Sequence, residues 1–259
     1  MAADGRRARR RLPPAHHLGD PVDAVAGRSR RHGIGGQSRD RPRRRTLSAR
    51  QGLSPSLGAR DAGKIEAALG GLDPTRAIGV AFDARDRASC EAWVERTGRH
   101  FGRIDGLVNN AGIGLDVGIE DDDEAAYDAM WDVNVKGPLR LIRLVMPWLR
   151  KSGSGRIVNL SSLSGKRVKN ANAGYAMSKF AVIALTHAVR RLGWDDGVRA
   201  TAICPSFVAT DMTAQVTAVP RDKMIQPADL AELVATALAL PNNAVVAELL
   251  VNCRLEDMF

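Results

Sequence analysis

The 259-residue sequence predicts an α/β protein built on a single doubly wound, parallel sheet. Short apolar runs without polar alternation recur along the chain, and a strand buried on both faces reads this way. Segments with helical spacing separate these runs, the order expected when parallel strands are joined by crossover helices. Polar residues also gather just after the runs, and in such sheets ligands lie beyond the carboxyl ends of the strands.

The elements follow in order. DAGKIEAALGGL (61–72) has helical spacing closed by glycines, and AIGVAFDA (77–84) is a strand. A polar helical segment over 87–101 leads into IDGLVNNAG (104–112), a short strand with its exit loop. Helical text fills 124–150, GRIVNLSS (155–162) is a strand, and 175–192 is a broad-faced helix. VRATAICPS (198–206), a helix over 227–238 and AVVAELLVN (244–252) complete the pattern. There is no internal repeat, so residues 56–259 read as one domain and residues 1–55 as an atypical Arg-rich segment.

The formal charge of +9 is misleading until it is divided along the chain. The first fifty residues carry 14 Arg against four Asp, while the remainder carries 24 basic against 25 acidic side chains. A folded nucleic-acid reader carries its basic patch on the domain, so no specific nucleic-acid partner is expected. Cys90, Cys204 and Cys253 have no metal-ligand spacing and read as reduced thiols of a cytoplasmic protein, with no metal site. No apolar run approaches the roughly 20 residues of a membrane span, and no membrane partner is expected.

The chemistry concentrates in SSLSGKRVKNANAGYAMSKFA (161–181). Tyr175 and Lys179 are four apart, which stacks them on one helix face. An ammonium beside a phenol favours the phenolate and draws its acidity from about 10 toward working pH. That makes a proton donor and acceptor suited to carbonyl/alcohol interconversion. A bare Tyr/Lys pair also describes a snorkelling lysine beside a half-buried ring. Ser162, thirteen residues earlier at a strand end, makes the chemical reading specific.

With these residues the chain resembles the short-chain dehydrogenase/reductase family, which implies a Rossmann-type fold and hydride transfer between NAD(P) and a carbonyl or alcohol. The family's Ser…Tyr-x-x-x-Lys falls on Ser162, Tyr175 and Lys179, and NVKG places its catalytic Asn at Asn134, a water-holding part of the proton relay. By the same resemblance, the NNAG stretch with Asn109, Ala111 and Gly112 stabilises the central strand and walls the adenosine side. Asp83 falls where the family contacts adenine. CPSFVATDM supplies Pro205, Val208 and Thr210 for the nicotinamide side, with Ser206 where glycine is usual. The resemblance gives Tyr175 the proton exchange, Lys179 the nicotinamide ribose and Ser162 the substrate oxygen. SLGARD (56–61) resembles the end of the second strand, and Arg60 there implies NADP(H), with NAD(H) as the other cofactor. The implied partners are a small-molecule carbonyl or alcohol and further copies of the chain, in a homodimer or homotetramer paired through the long helices.

One part of the pattern fails. The family's glycine loop should lie some 25 residues before Arg60, where the chain reads RHGIGGQS (31–38) with no apolar strand before it and no amphipathic helix after it. Three readings remain: a degenerate phosphate loop, a basic tail, or a stretch translated in a neighbouring frame, since shifting each codon by one base lets His32, Gly33 and Ile34 encode Thr-Gly-Ser. The competing functional expectation is therefore a non-catalytic remnant of the same fold that binds cofactor poorly.

Overall fold

The computed structural model describes residues 16–17, 23–28, 53–70 and 72–256. Its strands are β1 (His16–His17), β2 (Asp23–Arg28), β3 (Leu53–Ala59), β4 (Ile78–Ala81), β5 (Gly106–Asn109), β6 (Ile113–Gly114), β7 (Arg156–Leu160), β8 (Arg199–Pro205) and β9 (Glu248–Val251). Its α-helices are α1 (Ala62–Leu69), α2 (Arg87–Phe101), α3 (Glu124–Trp131), α4 (Gly137–Ser152), α5 (Ala173–Gly193) and α6 (Pro227–Ala239). Seven strands form one sheet in the order β4-β3-β2-β5-β7-β8-β9, while β1 pairs with β6 in a separate ribbon.

Apolar strands make this sheet because neighbouring residues enter different cores. Leu107 and Ile157 join Trp93, Val94, Leu141 and Val145 on the face covered by α2 and α4. Val108 and Val158, one residue further along each strand, join Ile203 and Leu238 on the face covered by α6. Each large aliphatic side chain buried this way contributes about 1.5–3 kcal/mol. The face toward α2 also carries a polar clamp: Trp93 Nε1 donates to Ser56 Oγ at 2.8 Å, and the Ser56 and Thr97 hydroxyls are 2.7 Å apart. Gly58 lies on the same strand because a Cβ there would stand 2.8 Å from the Trp93 ring.

β3 pairs parallel with β4, and β5, β7, β8 and β9 pair parallel in turn. β2 fills the slot between β3 and β5 and runs antiparallel to both. The sequence pattern gives no strand ahead of residue 56, whereas β2 forms on the short Ala24-Val25-Ala26 run and β3 already begins at Leu53. Arg28, the last residue of β2, lies opposite Leu53, the first of β3. The chain therefore leaves β2 at the amino edge of its parallel neighbours, away from the edge where β5, β7 and β8 end. The glycine cluster at 33–36 lies outside the described residues.

Between α3 and α4 the helix widens. Asp132–Lys136 form a π turn, and the Gly137 N–H donates to the Asp132 carbonyl, five residues back. Pro138 follows and has no N–H to give to the carbonyl of residue 134, so the regular α pattern cannot close there. α5 begins where Asn172 Oδ1 accepts the Tyr175 N–H at 3.1 Å, capping its first turn.

Candidate active site

Tyr175 and Lys179 lie one turn apart on α5. Lys179 is 1% exposed; its Nζ donates to the Leu160 carbonyl at 3.0 Å and stands 5.7 Å from the centre of the Tyr175 ring. Burial pushes the Lys179 ammonium down to about 8, with the nearby Cys204 acting in the opposite direction. Burial likewise pushes the Tyr175 phenol up to about 12, and its hydrogen bond with Ser162 pulls it part of the way back. The sequence pattern predicts a phenol lowered by its lysine, and the fold gives the opposite direction. The physical reason is desolvation: Lys179 is buried and the Tyr175 ring is half-buried, and loss of water favours the neutral form of each.

The turn at Leu163–Gly165 sets Ser162 against this helix. Ser162 Oγ accepts the Ser164 N–H at 3.1 Å, and Ser161 Oγ donates to the Lys179 carbonyl at 2.8 Å. The approach is close enough that a Cβ at Gly165 would meet that carbonyl oxygen at 2.6 Å. Asn134 sits inside the π turn and is 1% exposed. Its Oδ1 accepts the Ile113 N–H at 2.8 Å, while its Nδ2 donates to the Ile113 carbonyl and the Ser178 hydroxyl, both at 2.9 Å. The wide turn thus ties α3 and α4 to the exit loop of β5 and to the helix carrying Tyr175.

Asn109 and Asn159 face each other on β5 and β7. Asn109 Nδ2 donates to Asn159 Oδ1 at 2.7 Å, and Asn159 Nδ2 donates to Thr186 Oγ1 on α5 at 2.8 Å. Asn109 Oδ1 is buried without a hydrogen-bond partner among the described residues. Ala111 and Gly112 continue from β5 to the segment that Asn134 grips. At the other side of the sheet Arg60 follows β3 and Asp83 follows β4. Burial raises the Asp83 carboxyl, but hydrogen bonds from the Arg85 side chain and backbone, with the charges of Arg85 and Arg60, bring it below its ordinary value. Asp61, next to Arg60, caps α1 by accepting from the Gly63 N–H at 2.8 Å.

A cavity of about 1190 Å³ opens over the carboxyl ends of these strands, lined by Asn110, Ser162, Tyr175, Pro205, Val208 and Thr210 among others. Its volume exceeds the usual range of small-molecule sites, about 300–1,000 Å³. The lining supplies a phenol, a hydroxyl and the Thr210 turn, groups that fit the nicotinamide half of a dinucleotide, while the Lys179 ammonium is buried 5.7 Å from the phenol ring. Ser206, where the resemblance leads one to expect glycine, lines the cavity, and its Oγ accepts the Cys253 N–H at 3.0 Å, which secures the tail after β9. The fold thus gathers Ser162, Tyr175, Lys179 and Asn134 within a few ångströms of α5, while Asp83 and Arg60 sit at a separate corner. Sequence reading missed Asn159, Thr186 and Ser178, although a lone amide in an otherwise apolar strand signals a buried polar partner.

The chain is similar to known proteins in sequence and in fold. A family model described as short chain dehydrogenase matches residues 46–220. The chain is 44% identical over 208 residues to an agropine synthesis reductase of Rhizobium rhizogenes, spanning 80% of this chain but only 48% of that protein. An uncharacterized oxidoreductase of Staphylococcus saprophyticus is 35% identical over 237 residues, which span 90% of this chain and 97% of that one. Among solved structures, 3-ketoacyl-(acyl-carrier-protein) reductase from Brucella melitensis, complexed with NADH, superposes with a TM-score of 0.71 at 27% identity, over 76% of this chain and 86% of that one. An alcohol dehydrogenase from Thermococcus sibiricus, complexed with 5-hydroxy-NADP, superposes with a TM-score of 0.68 at 27% identity, over 76% and 84%.

Proposed function

Since the chain belongs to the short-chain dehydrogenase family, we propose that it is an NAD(P)-dependent oxidoreductase interconverting a carbonyl and a secondary alcohol, with residues 56–259 as its catalytic domain. The observation that carries this reading is that Ser162 and Tyr175 share the wall of the cavity, with Lys179 Nζ 5.7 Å from the centre of the same ring. When bound, the nicotinamide supplies or accepts the hydride. In reduction Tyr175 gives its hydroxyl proton to the substrate oxygen, which Ser162 holds beside it. Lys179 contributes positive charge behind the phenol, held in place by the Leu160 carbonyl. Asn134 keeps the exit loop of β5 and Ser178 in register with the reacting phenol.

NADP(H) is the favoured cofactor in this reading, because Arg60 extends from the strand end where a 2′-phosphate is met. A homodimer or homotetramer accords with Trp131, Phe180 and Leu192, large apolar side chains exposed on α3 and α5. A cytoplasmic location accords with the free thiols of Cys90, Cys204 and Cys253.

The direct test is to titrate NADPH against the purified chain and follow its fluorescence, then to compare turnover in Tyr175→Phe. Saturable binding and a turnover loss of at least about 10²-fold are expected. The antiparallel course of β2 favours a second reading, a remnant with a weakened grip on the cofactor's phosphates. Absence of saturable NADPH binding would select it.

A further inference from the structure

One wall of the cavity is basic. Arg167 and Lys169, between the Leu163–Gly165 turn and α5, line it together with Arg254 from the tail after β9. These three cations share one carboxylate. Glu256 accepts from Arg167 Nη2 at 2.7 Å and from Lys169 Nζ at 3.0 Å, and it lies 3.6 Å from Arg254 Nε. The Glu256 side chain is 1% exposed, whereas those of Lys169 and Arg254 are 49% and 43% exposed.

The arrangement leaves a surplus of positive charge on the cavity side. Arg167 is 11% exposed, and its buried Nε has no hydrogen-bond partner among the described residues. Arg221 adds a fourth cation to the lining and is anchored by the Thr210 and Ala209 carbonyls at 3.1 and 3.2 Å. Two carboxylates, Asp116 and Asp211, also line the cavity, and neither pairs with the Arg167 cluster. Three cations around one anion repel one another, and a second anion in the cavity relieves that repulsion. Guanidinium groups present planar forks that suit carboxylate and phosphate oxygens.

We propose that the substrate of this site carries an anionic oxyacid group, carboxylate or phosphate, seated against Arg167, Lys169 and Arg254. The proposal rests on the reading of this cavity as the active site. Ser162 and Tyr175 hold the carbonyl end of the substrate, and the basic wall selects molecules by the charge at the other end.

The test is calorimetric titration of the full chain at low salt, with and without NADPH. The ligands are 4-oxopentanoate, its methyl ester and inorganic phosphate. The keto acid is expected to bind at least about tenfold more tightly than its ester. The preference should fall to under about threefold in Lys169→Gln/Arg254→Gln, which leaves Glu256 paired with Arg167 alone. Glu256→Gln should tighten keto-acid binding, because it removes the competing anion. Phosphate binding tighter than the keto acid would assign the group as phosphate. Equal affinity for acid and ester, binding of neither anion, or a preference unchanged in the double variant overturns the proposal. Because none of these readouts needs hydride transfer, a chain that fails to bind NADPH yet retains the acid preference would reject the oxidoreductase reading alone.

Discussion

The carboxamide of Asn134 closes a ring on the backbone of Ile113, accepting from its N–H at 2.8 Å and donating to its carbonyl at 2.9 Å. Both residues are buried, so replacing Asn134 by Ala strands two backbone groups away from water. Each such group costs about 1–3 kcal/mol, and Asn134→Ala should lose roughly 2–6 kcal/mol of stability. Urea denaturation checks this; a loss below about 1 kcal/mol would mean that Ile113 finds other partners.

Ser162 is the group that draws the Tyr175 phenol down against the effect of burial. Ser162→Ala should therefore raise that phenol further from its ordinary value of 10.0. In the proposed alcohol oxidation the Tyr175 phenolate would be the base, so the rise of kcat should move to higher pH as the rate drops. Initial rates across alkaline pH test the point. A lower rate with an unmoved profile would confine Ser162 to holding substrate.

Lys179 carries a definite sign into stability. Its folded value of about 8 lies below the ordinary 10.5, so between those values the unfolded chain binds more protons and stability rises with pH. Below about 8 both states are charged and the cost of burying the ammonium is fully present. Lys179→Met removes that cost. Its stability relative to the parent should be greater at pH 7 than at pH 10.5 by on the order of 3 kcal/mol. Tyr175 and Cys204 titrate in both chains and largely cancel in the comparison. A difference independent of pH would show that Lys179 stays charged throughout.

Gly165 marks the closest approach of the Ser162 turn to α5. A methyl group there meets the Lys179 carbonyl oxygen at 2.6 Å and Ser161 Oγ at 2.8 Å. Gly165→Ala should cost about 1–3 kcal/mol through overpacking. Pushing Ser162 from Tyr175 should also lower kcat more than it changes KM for the nicotinamide. Full activity with intact stability would mean that the turn moves freely.

Much of this was legible in the sequence. Residues 87–101 read as a helix and fold as α2 with the same bounds, because its apolar positions recur at helical spacing. β7 and β8 were legible because burial on both faces leaves apolar pairs such as Ile157–Val158 and Ala202–Ile203 without polar alternation. Tyr175 and Lys179 share a helix face by spacing alone. β2 escaped because three small apolar residues are too few to establish a period. The basic wall escaped because Arg167 and Glu256 stand 89 positions apart, a pairing that no local pattern encodes. The direction of the Tyr175 shift depends on how deeply a ring is buried, and residue spacing carries no such information.

The π turn at Asp132–Lys136 amounts to a surplus residue in an otherwise continuous helix. Deleting one residue would remove that surplus, with Pro138 still withholding one N–H from the joined helix. It would also rotate everything on one side of the deletion by about 100°, one residue's share of a helical turn. Asn134 would swing away from Ile113 and Ser178, and α3 would present a different stripe to the core. The widening is thus a frame-setting device, and the shorter, more regular helix is the version that could not hold the site together.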